Sequence, residues 1–197
     1  MSSPSDRSDR ALGFHTFSRF ALMPNTEFTV ADLRLHRVPL VELNVEYVTW
    51  VLDEIDKWFG IPAGQVLGMP AREYVPTVID KVCGESPPKG RFYLVTVGGR
   101  LAAMGGLRSL GGDAVELKRI YVRPECRAMG IGATILDRLL ADARDFGYAR
   151  ACLDSGPFMR SAHRLYEHAG FVDRSPYEGV EVPVEFHPQW RFMQRPL

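Results

Sequence analysis

The apolar residues of the chain recur with two different periods, which predicts a protein built from both helices and strands. Helical spacing is clearest after Pro39, where the apolar side chains form one stripe and most acidic ones lie off it. The members of this stripe are Val41, Val45, Val48, Leu52, Ile55 and Phe59. Gly60, followed by Ile61 and Pro62, is expected to end the helix.

The rest of the chain divides into shorter elements. Further helices are predicted over 71–83, from 131 to the residue before Gly147, and over 159–169. The resulting order, β-α-α-β-β-β-α-β-α-β-β, indicates an α/β layer fold with a mixed sheet. The predicted strands cover 28–36, 91–97, 100–107, 115–122, 149–153, 171–173 and 190–194, with Gly98 and Gly99 forming a hairpin turn between the second and third.

The first ten residues, MSSPSDRSDR, are polar and rich in serine, a composition typical of flexible tails. We expect residues 1–26 to form a flexible N-terminal extension. Residues 27–197 are expected to form a single domain, because no linker-like stretch interrupts the later patterns. A chain of 197 residues is long enough to bury a substantial core.

Charge and cysteine content narrow the choice of partners and compartment. Lysines plus arginines number 24, as do aspartates plus glutamates, so no broad basic surface for nucleic acid is expected. Cys83, Cys126 and Cys152 are odd in number and widely spaced, which argues against a disulfide framework and against a zinc cluster. No apolar run reaches membrane-spanning length. The expectation is a cytoplasmic protein without a metal, a nucleic-acid partner or a membrane partner.

A strand, a glycine-bearing turn and a helix follow one another between Val115 and Leu140, and together they favour binding of a phosphate group. Arg123-Pro124 ends the strand, because proline lacks a backbone donor and restricts the residue before it. The free N–H groups of the turn and the helix dipole attract an anion. Gly130 and Gly132 allow that anion to approach the backbone closely. The alternative is a tight turn without a ligand.

Two common phosphate-binding motifs do not fit this turn. The order GxGxxG is absent, and Ala133-Thr134 follows Gly132 where a P-loop needs lysine and then serine or threonine. The spacing Arg127-x-x-Gly130-x-Gly132 resembles the acetyl-CoA signature Q/R-x-x-G-x-G/A of the GNAT N-acetyltransferase superfamily. A second block, from Met159 to Phe171, is similar to the family helix that carries A-x-x-L-Y-E-x-x-G-F.

The resemblance extends from about Phe28 to the C-terminus. It implies the GNAT fold, a mixed and mostly antiparallel central sheet flanked by helices. More narrowly, the chain resembles a bacterial-type branch of presumed small-molecule acetyltransferases. The segments that carry this likeness are Glu46-Tyr47-x-x-Trp50, Glu116-x-Lys118-Arg119-x-Tyr121-Val122, Leu153-Asp154-Ser155, Pro176-Tyr177 and Phe192-Met193.

The resemblance also implies where acetyl-CoA binds as the co-substrate. It would lie between two splayed parallel strands, 115–122 and 149–153, with strand backbone groups pairing with the pantetheine arm and one N–H facing the thioester oxygen. The glycine turn would hold the pyrophosphate. The implied cofactor-binding residues are Ile120, Tyr121, Val122, Arg127, Ala128, Met129, Gly130, Ile131, Gly132 and Ala133.

Two catalytic roles follow from the same resemblance. Glu116 lies at the offset at which histone-acetylating members carry their general base, and Tyr166 lies where many members place a tyrosine that protonates the departing CoA sulfur. The residues alone leave a second interpretation open, in which Glu116 faces solvent and pairs with Lys118 or Arg119. Core packing of Tyr166 on an amphipathic helix also stays open.

One position departs from the family pattern, because Met159 stands where many members have an asparagine that contacts the cofactor. Ser155 and Ser161 are the candidate polar substitutes. Packing is the favoured interpretation of Trp50 on the first helix. Neither a metal site nor an acyl-cysteine is indicated by His163, His168 and Cys126.

Three functions remain open at this point. The leading one is acetyl-CoA-dependent N-acetylation of a primary amine of a small molecule, by direct transfer in a ternary complex. The second is acetylation of a protein lysine or N-terminus, which a long open groove flanked by acidic residues would favour. The third is a catalytically silent acyl-CoA-binding module. The sequence names neither the acceptor nor the acyl chain length, and it leaves a homodimer open.

Overall fold

A computed structural model describes residues 25–197, which form one seven-stranded sheet with helices on both faces. The strands lie in the order β1-β2-β3-β4-β5-β7-β6, and β4 with β5 is the parallel pair. The strands are β1 (Thr26–Val30), β2 (Gly90–Val97), β3 (Arg100–Gly111), β4 (Ala114–Val122), β5 (Arg150–Ser155), β6 (Val172–Arg174) and β7 (Arg191–Pro196). The helices are α1 (Leu33–Phe59), α2 (Ala63–Leu67), α3 (Ala71–Cys83), α4 (Ile131–Asp145) and α5 (Arg160–His168), with short 3-10 turns at Pro124–Cys126 and Val184–Phe186.

The predicted mixed, mostly antiparallel sheet is confirmed, and so are the bounds of α3. The predicted extension covers residues 1–26, most of which lies outside the described residues. The single-domain assignment stays a prediction. None of the described helices combines the length and the apolar character that a membrane span requires.

The predicted start of the first helix is wrong. Strand β1 ends at Val30, and α1 begins at Leu33, six residues before Pro39. The reason is Asp32, whose carboxylate accepts a hydrogen bond from the backbone N–H of Arg34 at 2.8 Å and so caps the helix. Short helix α2 was also not predicted, because its five residues are too few to show a period.

A bulge in β4 shapes the centre of the sheet. Met104 pairs with Tyr121 and Gly106 with Lys118, so Arg119 and Ile120 both lie opposite Gly105. Arg119 adopts a positive φ of 52°, an uncommon conformation for a residue with a side chain. A Cβ at Gly105 would lie 2.7 Å from Cγ2 of Ile135, so glycine is required for α4 to pack there.

Strands β4 and β5 pair over only three positions and then separate. The last paired residues are Glu116 and Cys152, after which β5 continues to pair with β7 alone. Two apolar cores cover the faces of the sheet. One lies under α4 and includes Ile135, Leu139 and Tyr166, and the other lies under α1 and α3. The gap that opens between β4 and β5 beyond Cys152, called the wedge below, therefore lies between two packed cores.

Candidate active site

A cavity of 610 Å³ occupies the wedge where β4 and β5 separate. Its walls come from α1, the second half of β4, the glycine turn, the end of β5 and α5. Nine of the ten predicted cofactor-binding residues line it. The exception is Met129, which is exposed and does not line the cavity.

The glycine turn has the geometry of an anion site. Gly130 precedes α4 with a φ of 80°, and Ala128 also has a positive φ, of 61°. Within the described chain, no acceptor is found for the backbone N–H groups of residues 128–132. These groups lie at the positive end of the α4 dipole, and the turn borders the cavity. The residues present therefore fit the pyrophosphate of an acyl-CoA.

Arg127, at the Q/R position of the signature, links the glycine turn to the end of β4. Its Nε donates to the backbone oxygen of Val122 at 3.1 Å, which ties the turn to the end of β4. Its guanidinium carbon also lies 5.6 Å from the ring centroid of Trp50, a cation–π contact across the cavity.

Tyr166 comes from α5 and lines the cavity, with an exposed fraction of 7%. Burial, followed by electrostatic interactions with Tyr47 and with Asp154, raises the pKa of its hydroxyl, which keeps the hydroxyl protonated. In the described part of the chain no hydrogen bond to this hydroxyl is found. The O–H group is thus available to a bound ligand, as an acid at this position must be.

Glu116, the predicted base, lies away from the cavity lining. It is 1% exposed, and its Oε2 accepts a hydrogen bond from Nε of Arg108 at 2.6 Å. Lys118 lies 3.5 Å from the same oxygen, and the Tyr177 hydroxyl donates to Oε1 at 2.9 Å. The ion pair between Arg108 and Glu116 follows from the strand register, because the two residues face each other on β3 and β4. Both carboxylate oxygens are therefore engaged, and the assignment of Glu116 as base stays a prediction.

Asp154 is a carboxylate that does line the cavity, and sequence reasoning gave it no role. It lies on β5, two residues beyond the last β4–β5 pair. Burial, followed by the charge of Glu116, raises its pKa to about 6, while a hydrogen bond from Nε1 of Trp190 at 2.9 Å opposes that rise. Its segment, Leu153-Asp154-Ser155, was part of the family resemblance and was the available signal.

Aromatic side chains form one part of the cavity wall, called the aromatic wall below. Tyr47 and Trp50 of α1 line the cavity, so the interpretation of Trp50 as packing alone is incomplete. Trp50 meets Phe158, which follows β5, with 5.8 Å between ring centroids at an edge-to-face angle of 89°. This contact joins α1 to the loop after β5, and both rings line the cavity.

Of the remaining residues that the sequence singled out, some line the cavity and others do not. Met159 and Ser161 line it, whereas Ser155 is buried and approaches Sδ of Met159 at 3.4 Å. Glu46 accepts hydrogen bonds from Arg123 and does not line the cavity. Among the described residues, no group of histidines, cysteines and acidic residues is arranged to hold a metal ion.

Comparison with known proteins shows the family. The model of the acetyltransferase (GNAT) family matches residues 52–171. An IAA acetyltransferase of Azospirillum brasilense is 31% identical over 111 residues, which are 56% of this chain and 70% of that protein. The chain belongs to the acetyltransferase (GNAT) family. It is an acyltransferase of the N-acetyltransferase class, as the resemblance predicted.

Solved structures agree with this fold. A GNAT-family acetyltransferase from Staphylococcus aureus Mu50 has a TM-score of 0.65 and 18% identity, and the match covers 87% of this chain and 99% of that one. The paiA N-acetyltransferase of Thermoplasma acidophilum, crystallised in complex with coenzyme A, has a TM-score of 0.62 and 15% identity, with coverage of 87% and 99%. At this level of identity the likeness concerns the fold alone.

Proposed function

We propose that this chain transfers the acetyl group of acetyl-CoA directly to a primary amine of a small molecule, in a ternary complex. One observation carries the proposal. A single cavity is bordered by an anion-binding turn, a protonated hydroxyl at Tyr166, and a carboxylate at Asp154 that ionises near pH 6. These are the parts that amide formation from a thioester requires.

Acetyl-CoA supplies an activated acyl group with a thiolate as its leaving group. The backbone N–H groups of Ala128 to Gly132 hold its pyrophosphate, and Arg127 keeps that turn in place through Val122. Ile120 and Val122 of β4 line the cavity beyond the bulge, where strand backbone groups are not needed by β5. They hold the pantetheine arm and orient the thioester.

We assign the removal of the amine proton to Asp154 in preference to Glu116. An amine must lose a proton to attack, and a carboxylate with a pKa near 6 is mostly ionised at neutral pH. Burial makes it a stronger base than an ordinary aspartate. Glu116 is held by Arg108 and Lys118 outside the cavity lining, so it would have to break two ion pairs to reach the acceptor.

Tyr166 is assigned the return of a proton to the departing sulfur. Its hydroxyl stays protonated across the working range because its pKa is raised, and it faces the same cavity as Asp154. Proton delivery to the thiolate prevents the reverse attack. The tyrosine and the aspartate thus take opposite roles in one transfer.

The aromatic wall favours a small acceptor over a protein chain. The Trp50–Phe158 contact is extended by Trp58, whose ring centroid lies 6.5 Å from that of Phe158. Trp50 and Phe158 line the cavity with aromatic surface, and Trp58 packs on Phe158. A small amine with an apolar body fits such walls.

Release of free CoA thiol, measured with purified chain over a panel of amines and peptides, tests the proposal. The expected result is acetyl-CoA-dependent release with small primary amines and an acetylated product detected by mass spectrometry. Release with peptides alone would favour protein acetylation. Acetyl-CoA binding without release on any acceptor would indicate a silent binding module.

A further inference from the structure

Arg119 projects into the cavity from the β4 bulge, and its guanidinium is held in place without a charge partner. Its Nη1 donates to Oδ1 of Asn44 at 3.0 Å, and its guanidinium carbon lies 5.6 Å from the ring centroid of Tyr47. Asn44 is fully buried, and its own Nδ2 donates to the backbone oxygen of Leu40 at 2.8 Å. The contacts fix the position of the guanidinium and leave most of its donors unused.

The neighbouring cations on the same sheet are paired. Lys118 and Arg108 both bridge Glu116 and Glu181, and Lys81 also pairs with Glu181. Burial acts to raise the pKa of Glu181, but these pairs, above all the charge of Lys118, lower it to about 2. No carboxylate lies within ion-pairing distance of Arg119 in residues 25–197. A cation placed in a partly buried site without an anion is costly unless a ligand supplies one.

Arg119 also lies at the junction of two cavities. It lines the main cavity with Tyr47 and Asp154, and it lines a second cavity of 260 Å³ with Lys81 and Glu181, whose carboxylate is already paired with other cations. The Tyr47 ring lies 5.6 Å from the guanidinium carbon of Arg119, and Asp154 lines the same cavity. A positive group, a negative group and an aromatic ring thus line one cavity.

We propose that Arg119 binds a carboxylate of the acceptor, so that the substrate is a primary amine that also carries a carboxylate, as an amino acid does. The inference rests on the proposed function and narrows its substrate class. The amine lies toward Asp154, the carboxylate accepts hydrogen bonds from the guanidinium, and the apolar body packs against Tyr47. A guanidinium and a carboxylate form two parallel hydrogen bonds, which gives orientation as well as affinity.

The backbone supports a functional role for this position. The positive φ of Arg119 is strained for a residue with a side chain, and it aims the side chain out of the strand at the bulge. Glycine or asparagine would adopt this conformation at lower cost. An arginine here is explained if its guanidinium contributes to ligand binding.

The test compares acceptors that differ only in the carboxylate. The panel consists of the standard L-amino acids, each assayed beside its carboxamide, with CoA release as the readout. The carboxamide has the less basic amine, so slower reaction with it is not explained by protonation. Wild-type chain should prefer the carboxylate of its best pair by roughly ten- to a hundredfold in kcat/KM. Arg119→Gln should reduce that preference to about one.

Matched variants separate recognition from folding. Arg150→Gln makes the same chemical change at an exposed pair with Asp113, away from the cavity, and should keep the wild-type preference. Arg119→Lys keeps the charge without the fork and should restore part of the preference. Calorimetry of the best amino acid against CoA-saturated chain should show the same loss of affinity for Arg119→Gln, independently of turnover.

Equal rates for carboxylates and carboxamides in the wild-type chain would overturn the inference while leaving amine acetylation intact. The inference also fails if Arg119→Gln loses activity equally on both members of each pair, because Arg119 would then support Tyr47 or Asn44 alone. Absence of CoA release from every pair and from every simple amine contradicts the proposed function itself, and the inference with it.

Discussion

The indole Nε1 of Trp190 donates a hydrogen bond to Oδ1 of Asp154 across 2.9 Å. This bond favours the ionised carboxylate, so it opposes the burial that raises the pKa of Asp154 to about 6. Trp190 is itself held by Phe158, with 5.7 Å between the ring centroids. Trp190 therefore helps to position the Asp154 carboxylate, and its hydrogen bond lowers the pKa against the larger effect of burial.

Replacing Trp190 by phenylalanine keeps an aromatic ring and removes the donor. The pKa of Asp154 should rise, and the acid limb of kcat/KM should move to higher pH because a larger share of the carboxylate is protonated at each pH. Trp58→Phe is the control, since Trp58 contacts Phe158 without a hydrogen bond to Asp154. A limb that stays in place or moves to lower pH in Trp190→Phe would contradict this account of Asp154.

Gly130→Glu should abolish acetyl-CoA binding. The new side chain brings bulk and negative charge to the point where the turn N–H groups meet the pyrophosphate. Gly147→Glu is the matched control, because Gly147 has a similar φ of 84° at the other end of α4. Calorimetry on both folded variants decides, and near-wild-type affinity in Gly130→Glu would remove the pyrophosphate assignment.

Tyr166→Phe should lower turnover by roughly ten- to a thousandfold while acetyl-CoA affinity persists. The change removes only a hydroxyl for which no partner is found in the described residues, so the thermal midpoint should hardly move. Tyr148→Phe serves for comparison, because that hydroxyl donates to Pro88 O at 3.0 Å on the surface. An unchanged rate in Tyr166→Phe would mean that Tyr166 packs only, or that the thiolate leaves unaided.

Glu116→Gln should destabilise the chain by about 1–3 kcal/mol, because it removes the buried carboxylate that Arg108 and Lys118 share, although both cations keep their pairs with Glu181. Urea unfolding measures the loss. Glu167→Gln breaks the half-exposed pair with Arg191 and should cost about 1 kcal/mol or less. If Glu116→Gln unfolds at the same urea concentration as wild type, Glu116 is not the structural anchor that its contacts indicate.

Much of the fold could be predicted because its signals are local. Gly98 and Gly99 fix the hairpin, and Gly60 ends α1 in the left-handed conformation. Pro70 before α3 and Gly84 after it mark the bounds of that helix. The start of α1 could not be read because residues after Val30 alternate like a strand. The Asp32 cap decided otherwise, and Pro39 was tolerated inside the helix.

The sequence signal for the glycine turn of the candidate site was equally local. The choice between the two carboxylates depends on contacts between residues that are distant in sequence. Glu116 and Asp154 are both acidic residues on neighbouring strands, and sequence spacing does not show which one has a cation opposite. Arg108 faces Glu116 only because of the β3–β4 register, and Asp154 borders the cavity only because β4 and β5 stop pairing at Cys152. Long-range pairing determined both outcomes.

The pH dependence of kcat/KM for Asp154→Asn, beside wild type and Glu116→Gln, tests the central claim most directly. Wild type should show a rate that rises with pH through about 6, because only the ionised carboxylate accepts the amine proton. Asp154→Asn should lose that limb and fall roughly a hundred- to ten-thousandfold, while folded Glu116→Gln keeps the limb. Retention of the limb and the rate by Asp154→Asn, with loss of the limb in Glu116→Gln, would contradict the account.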